Sequence, residues 1–342
     1  SIDLQNRLLF CINSGIENPE SDMGCYAGQP DDYDDLSPFF SQVISRHHGV
    51  SESARHACGW STGFEDGSDR TPSELDLKKL GLAPCSMRIR VGRNFDDLPL
   101  TSAMNLAQRL KLEERMTTVF AALQASPAYA GTYRSLTPGH ASTITDEQRQ
   151  GLIDDHLLFK PMDKDPFLAA AGIANDWPHG RGCYVSFDQS FVVWVGEEDH
   201  LRIMTMQTGH RLARLLVDLK SFIQAIVLYS SSYFALSDRF GFITTCPTNI
   251  GTGMRASVHL RLPALTAGGS EEKVKKIASP LGLSVRGLGG EHTPIGYDGT
   301  VDISPRARFC ISEEEIISRL FAGIAALQKA EAQCKAGQST QL

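Results

Sequence analysis

The 342-residue sequence predicts an α+β fold with an antiparallel sheet, because helices and hairpins are mixed along it without regular βαβ alternation. Two patterns carry this reading. Residues 85–91 and 257–262 alternate polar and apolar side chains, and 183–195 reads as two strands joined at Asp188-Gln189-Ser190. Between them lie long stretches with apolar residues at helical spacing.

In chain order, residues 3–49 read as helical and loop-rich, with a tight turn at Asp22-Met23-Gly24-Cys25-Tyr26. The polar stretch 51–73, holding Gly59, Gly63 and Gly67, reads as a linker or long loop between domains. A strand follows at 85–91, then a helix over 104–124 with Leu106, Leu110, Met116, Val119, Phe120 and Leu123 at helical spacing. After the hairpin, 210–228 forms a second amphipathic helix. In the strand at 257–262, Val258, Leu260 and Leu262 share one face, with His259 and Arg261 on the other. Ser312 can cap a closing helix that runs to about Ala332, with Glu315 reaching back in a capping box. The polar tail from Ala336 is expected to fray.

The length exceeds what one compact core usually holds, so one large and one small domain are expected. Hydrophobic residues at 42% and charged residues at 21% fit a soluble globular protein. A net charge of -7 argues against a general nucleic-acid or membrane-surface binder, so any polyanion must meet basic residues that converge locally. The longest apolar run, 222–229, falls short of the roughly 20 residues of a membrane span. No secretory signal opens the sequence. The eight cysteines form no CxxC pair, which argues against zinc ribbons and thioredoxin chemistry and for a reduced intracellular protein.

Neither GxxxxGK[ST] nor GxGxxG is present. Instead Arg88, Arg90, Arg202, Arg255 and Arg286 lie beside strand-like segments or turns. A guanidinium binds phosphate oxygens in bidentate fashion, and a triphosphate needs several such donors plus a divalent metal. Taken singly, each arginine also reads as a solvated surface charge. Glu197-Glu198-Asp199 closely follows an apolar strand, where mutual repulsion is seldom kept for stability alone. A carboxylate there can orient and deprotonate a cationic substrate, although a solvated loop is the plain alternative. In Cys246-Pro247-Thr248-Asn249, a cysteine near arginine can have a lowered pKa, or can be an inert buried thiol.

Together these segments resemble the phosphagen kinases, the family of creatine, arginine and related guanidino kinases. The resemblance is carried by residues 246–263 (CPTNIGTGMRASVHLRLP), 193–202 (VWVGEEDHLR), 153–159 (IDDHLLF), 86–93 (SMRIRVGR), 286–293 (RGLGGEHT) and 301–304 (VDIS), all in order. It implies a small all-α N-terminal domain, placed here at 1–62, that reads the guanidino substrate. A larger catalytic domain at 63–342 would have a glutamine synthetase-like core, an antiparallel sheet flanked by helices. By this resemblance Ser86, Arg88, Arg90, Arg202, Arg255 and Arg286 bind the phosphates of ATP or ADP, with Mg2+ bridging them and no metal held by the protein itself. His156, His259 and His292 contact the adenine and ribose. Glu198 and Glu291 align or deprotonate the guanidinium, and Cys246 sits as a thiolate that places the substrate. Ser21, Asp22, Met23 and Tyr26 read the substrate's tail, and a loop over 287–300 closes on it.

The departures are mosaic. Gly196 stands where the family commonly has Asn, and Gly289 and Lys160-Pro161 lean toward creatine kinases. Glu291-His292-Thr293 leans toward arginine kinases. Asp22 replaces the usual glycine, and His47 occupies a position linked to substrate choice. The expected substrate is arginine, with taurocyamine or another guanidino compound as the alternative. Two remoter readings are a protein-arginine kinase, which lacks the small domain, and a non-catalytic scaffold, which predicts damage to residues that are intact here. The resemblance further implies a monomer or homodimer in the cytoplasm, or in the mitochondrion if a leader was removed, with neither a nucleic-acid nor a membrane partner.

Overall fold

The computed structural model describes residues 2–56, 75–287 and 294–337. Three N-terminal helices, α1 (Ile2–Glu17), α2 (Asp32–Asp35) and α3 (Ser37–His48), precede the sheet. The rest comprises strands β1 (Cys85–Arg93), β2 (Gly131–Ser135), β3 (Gly182–Ser186), β4 (Phe191–Val195), β5 (Leu201–Gly209), the short pair β6 (Leu236–Ser237) and β7 (Gly241–Phe242), β8 (Met254–Arg261), β9 (Leu283–Arg286) and β10 (Thr300–Pro305). Its helices are α4 (Leu106–Leu123), α5 (Asp146–Asp154), α6 (Pro166–Ala170), α7 (Leu212–Ser230), α8 (Glu272–Ala278) and α9 (Glu313–Lys335).

Eight strands form one antiparallel sheet in the order β2-β3-β4-β5-β1-β8-β10-β9. Period-two alternation divides its faces. Met87, Ile89, Val91, Ile203, Val258 and Ile303 point into a core closed by α4, α7 and α9. The other face presents polar side chains. Toward β4 and β5 it is covered by Leu157, Leu158, Phe159 and Met162, which pack on Val192, Trp194 and Met204. A third cluster joins Cys11, Tyr33, Phe40 and Ile44 of the N-terminal helices to Phe240, Ile243, Ile250 and Phe309.

Local signals set the helix ends. Asn105 and Gln108 form a capping box on α4, as Thr145 and Gln148 do on α5. Ser312 caps α9 by accepting from Glu315 N at 3.1 Å, but the Glu315 carboxylate pairs with Arg319 at 2.6 Å, one turn onward. A cation at i+4 competes with the reciprocal half of the expected box. Most of the 51–73 linker, the domain boundary drawn at 62 and most of the 287–293 segment lie outside the described residues. Among the described residues no helix is long and apolar enough to cross a membrane.

Candidate active site

The polar face of the sheet floors a cavity of about 440 Å³. Even-numbered positions of β1 and odd-numbered positions of β8 face it, so alternation alone brings Ser86, Arg88, Arg90, Arg255, Ser257 and His259 together. Arg202 of β5 and Arg286 of β9 complete the rim. Arg90 lies opposite Arg255 across the ladder, and Asp302 of β10 lies opposite both His259 and Arg286. All five arginines singled out in the sequence therefore line one cavity.

Compensation of their charge is uneven: Arg202 and Arg255 meet carboxylates, whereas Arg88 and Arg90 feel chiefly burial and neighbouring arginines. Burial, together with the nearby Arg202, Arg255 and Arg88, pushes the Arg90 guanidinium well below the ordinary arginine range. Burial and Arg255 lower Arg88 in the same direction. A rigid sheet holding like charges together has a standing affinity for an anion. Arg255 Nη2 pairs with Asp302 Oδ2, and its Nε donates to Ser304 Oγ at 3.3 Å. Among the described residues, Asp302 Oδ1 is buried with no hydrogen-bond partner. Burial lowers His259, opposed by Asp302 and reinforced by Arg88. His156, exposed at φ 60°, lines the same cavity, beside an apolar wall of Leu158, Phe159 and Trp194. Trp194 Nε1 donates to Leu157 O at 2.8 Å, which fixes that wall.

The acidic loop after β4 is organised differently. Gly196 has φ 68°, and a Cβ there would approach Gly180 O to 2.6 Å. Asparagine also visits this left-handed region, but its Cβ would require the Gly180 backbone to shift, so the turn as it stands is fitted to glycine. Repulsion among the three acids is offset in part: Glu197 and Glu198 share Arg202, and Asp199 takes other partners. Arg202 Nε meets Glu197 Oε2 at 2.8 Å and its Nη2 meets Glu198 Oε1 at 3.0 Å. Asp199, fully buried, accepts from Asn94 Nδ2 and Thr245 N, each at 2.8 Å. Burial raises the Glu198 carboxyl to about 7, opposed by Arg202 and reinforced by Glu197 and Asp199. Burial works to lower Arg202, but Glu197 and Glu198 outweigh it and hold its pKa above the ordinary value.

Asn249 Nδ2 also donates to Glu198 Oε1, at 2.9 Å, so both donors sit on one carboxylate oxygen. Asn249 belongs to the short turn Pro247–Asn249 that starts at Cys246. The Cys246 thiol lies 3.2 Å from Thr248 Oγ1. Burial and the Glu198 carboxylate push it well above the usual thiol range, although Thr248 opposes them. The thiolate expected from the sequence is therefore not favoured in this arrangement, because a second negative charge would be buried beside Glu198.

The 21–26 turn reaches the same end. Met23 and Tyr26 pack in the cluster that contains Cys246 and Trp194. Ala27 N donates to Thr245 O at 2.8 Å, and Ser21 Oγ accepts from Gly24 N at 3.0 Å. Asp22 is exposed beside Met23. His47 is exposed too, stacked edge-on to His48, whose Nε2 lies 2.9 Å from Pro247 O. Glu291 and His292 lie outside the described residues. Sequence reasoning assigned no role to Asp302, Asn249 or His48. Asp302 carried a signal, since it alternates with apolar neighbours in Val301-Asp302-Ile303, whereas the partners of Asn249 and His48 lie far away in the chain.

Residues 3–45 match the family description "ATP:guanido phosphotransferase, N-terminal domain", and residues 111–334 match "ATP:guanido phosphotransferase, C-terminal catalytic domain". Arginine kinases of Penaeus monodon and Homarus gammarus are each 37% identical over 325 residues, covering 95% of this chain and 85% of the relative. Among solved structures, the substrate-free duplicated taurocyamine kinase from Schistosoma mansoni superimposes with a TM-score of 0.80 at 31% identity over 95% of this chain. The chain spans 43% of that duplicated protein. A lombricine kinase superimposes with a TM-score of 0.81 at 28% identity, covering 98% of this chain and 87% of the other.

Proposed function

The chain belongs to the ATP:guanido phosphotransferase family, and we propose that this cavity moves the γ-phosphoryl group of ATP reversibly onto arginine, buffering ATP as phosphoarginine. The observation that carries the reading is the juxtaposition of converging arginines with a carboxylate and a thiol. Five arginines line the cavity, and Glu198, with Cys246 near it, adjoins them through its ion pair with Arg202. An anion and a guanidinium would thereby be drawn to neighbouring positions on one reaction path. Residues 1–62 would supply the turn that reads the guanidino compound, and 63–342 the catalytic framework.

Arg88, Arg90, Arg202, Arg255 and Arg286 bind the phosphates, with Ser86 at the rim and His156 and His259 toward the base and ribose. Mg2+ would arrive on the phosphates as MgATP. The bond from the γ-phosphorus to the bridging oxygen of ADP breaks as a guanidino nitrogen bonds to phosphorus. That nitrogen's proton passes to Glu198. Holding the two reactants in line can contribute about 7–11 kcal/mol of barrier lowering. The guanidinium's charge also lowers the cost of a Cys246 thiolate, so substrate and thiolate would form together. Glu291 and His292 are proposed to act from the loop that closes over the pair and excludes water.

Arginine is favoured over creatine and taurocyamine by Asp22. Its exposed carboxylate, beside Met23, suits a tail that carries an ammonium group and opposes one that carries only an anion. The test is ADP formation from MgATP with arginine, taurocyamine, creatine, glycocyamine and lombricine, each supplied singly. Turnover fastest with arginine is expected. Silence with all five from a folded, ATP-binding protein would overturn the reading and favour protein-arginine phosphorylation or a non-catalytic role.

A further inference from the structure

We infer that Asp32, held by Arg7, is a positioning residue that sets the 21–28 loop against Cys246 and so tunes affinity for the guanidino compound; this rests on the function proposed above. Asp32 lies just past the loop, is 1% exposed, and touches nothing in the cavity. Its Oδ1 takes Arg7 Nε at 2.8 Å and Nη2 at 2.6 Å. Its Oδ2 takes the backbone N–H groups of Gly28 and Gln29, both at 2.7 Å, and the Cys11 thiol at 3.6 Å. A buried carboxylate is tolerated when paired and fully hydrogen-bonded, and this one accepts two of its hydrogen bonds from the backbone where the loop ends.

The loop is tethered on both sides of that point to the segment leading into Cys246. Ala27 N donates to Thr245 O, and Tyr33 Oη donates to Thr244 O, each at 2.8 Å. Gly28 is pressed against α1, where a Cβ would fall 2.6 Å from the Phe10 ring. Loss of the Asp32 charge would leave either the N–H groups of Gly28 and Gln29 or the Nε and Nη2 of Arg7 without their acceptor. The loop would then shift, and Tyr26 with it, relative to Cys246. An internal control exists in Asp35, which pairs with Arg7 Nη1 at 2.7 Å and touches no loop N–H. It pins α1 to α2 without holding the loop.

The experiment compares Asp32→Asn, Arg7→Met and Asp35→Asn with the full chain. Asp32→Asn should raise KM for the guanidino substrate about tenfold, because small misplacements near reacting groups are costly. KM for MgATP should stay within about twofold, as expected when one substrate's binding alone is disturbed. Arg7→Met should move KM the same way by less, and Asp35→Asn should leave it unchanged. A second readout needs no turnover: alkylation of Cys246 by iodoacetamide, followed by peptide mass, should quicken in Asp32→Asn and not in Asp35→Asn. Unchanged KM and alkylation in Asp32→Asn, equal shifts in both KM values, or an equal effect of Asp35→Asn would overturn the proposal. If Asp32→Asn does not fold, Arg7→Met decides on the same two readouts. A wild-type chain silent toward every guanidino compound would sink the proposed function instead, leaving the alkylation comparison to judge the clamp.

Discussion

The arginine-lined cavity and the carboxylate end beside it are built on different principles. At the arginine end the side chains stand on β1, β5, β8 and β9, and the ladder register dictates their spacing. At the carboxylate end, Glu198, Cys246 and Tyr26 come from three separate loops, joined by Asp199 to Thr245 N, Asn249 to Glu198 and Ala27 N to Thr245 O. The sheet can therefore hold like charges together without relaxing, whereas the loops hold their groups only as firmly as those hydrogen bonds allow. Arg202 belongs to both ends, since its strand faces the cavity while its guanidinium pairs with Glu197 and Glu198. Under the proposed function, anion affinity would follow from rigid register and orientation of the cationic substrate from a polar network, the easier of the two to retune.

The comparison breaks most sharply at Arg255. Arg255→Ala should lower kcat by about 10³-fold through loss of charge stabilisation on the transferring group, with far-ultraviolet circular dichroism little changed. Near-normal turnover would remove the phosphate role from the sheet's arginines. At the other end, Glu198→Gln should lower kcat by about 10²–10⁴-fold while MgATP binding persists, which calorimetry would check. Because burial raises Glu198 to about 7 against the pull of Arg202, its base form is lost as pH falls through that value. The kcat/KM for the guanidino substrate should therefore drop on the acid side in the wild type, and Glu198→Gln should flatten that limb. The smallest effect is expected at Cys246, where Ala should slow turnover by about 10–100-fold and leave residual activity. Complete loss from a folded Cys246→Ala protein would give the sulfur a direct chemical role.

Much of the arginine end was legible from the residue pattern. Alternation in 85–91 and 257–262 already put Arg88, Arg90 and His259 on one face of their strands, and the same rule applied to 301–304 would have added Asp302. The resemblance of the acidic and cysteine-bearing segments located Glu198 and Cys246 but not the state of either. Burial beside a carboxylate raises the thiol, and burial is a property of the assembled chain. Asn249 and His48 act through partners distant in sequence, as Asp32 does through Arg7, and no local pattern encodes those contacts.

The sequence by itself determined the mixed α+β class, the long helices, the strand faces and the family, because those follow from periodicity and from motifs read within a few residues. Only the tertiary structure decided which strands are neighbours, that Arg202 pairs with two of three adjacent acids, and that Ala27 and Tyr33, on either side of a loop end held by the buried Asp32, bond to the segment before Cys246. The physical reason is range. Side-chain alternation is set by each residue's own backbone geometry, whereas burial, pairing and pKa depend on what the rest of the chain brings within a few ångströms.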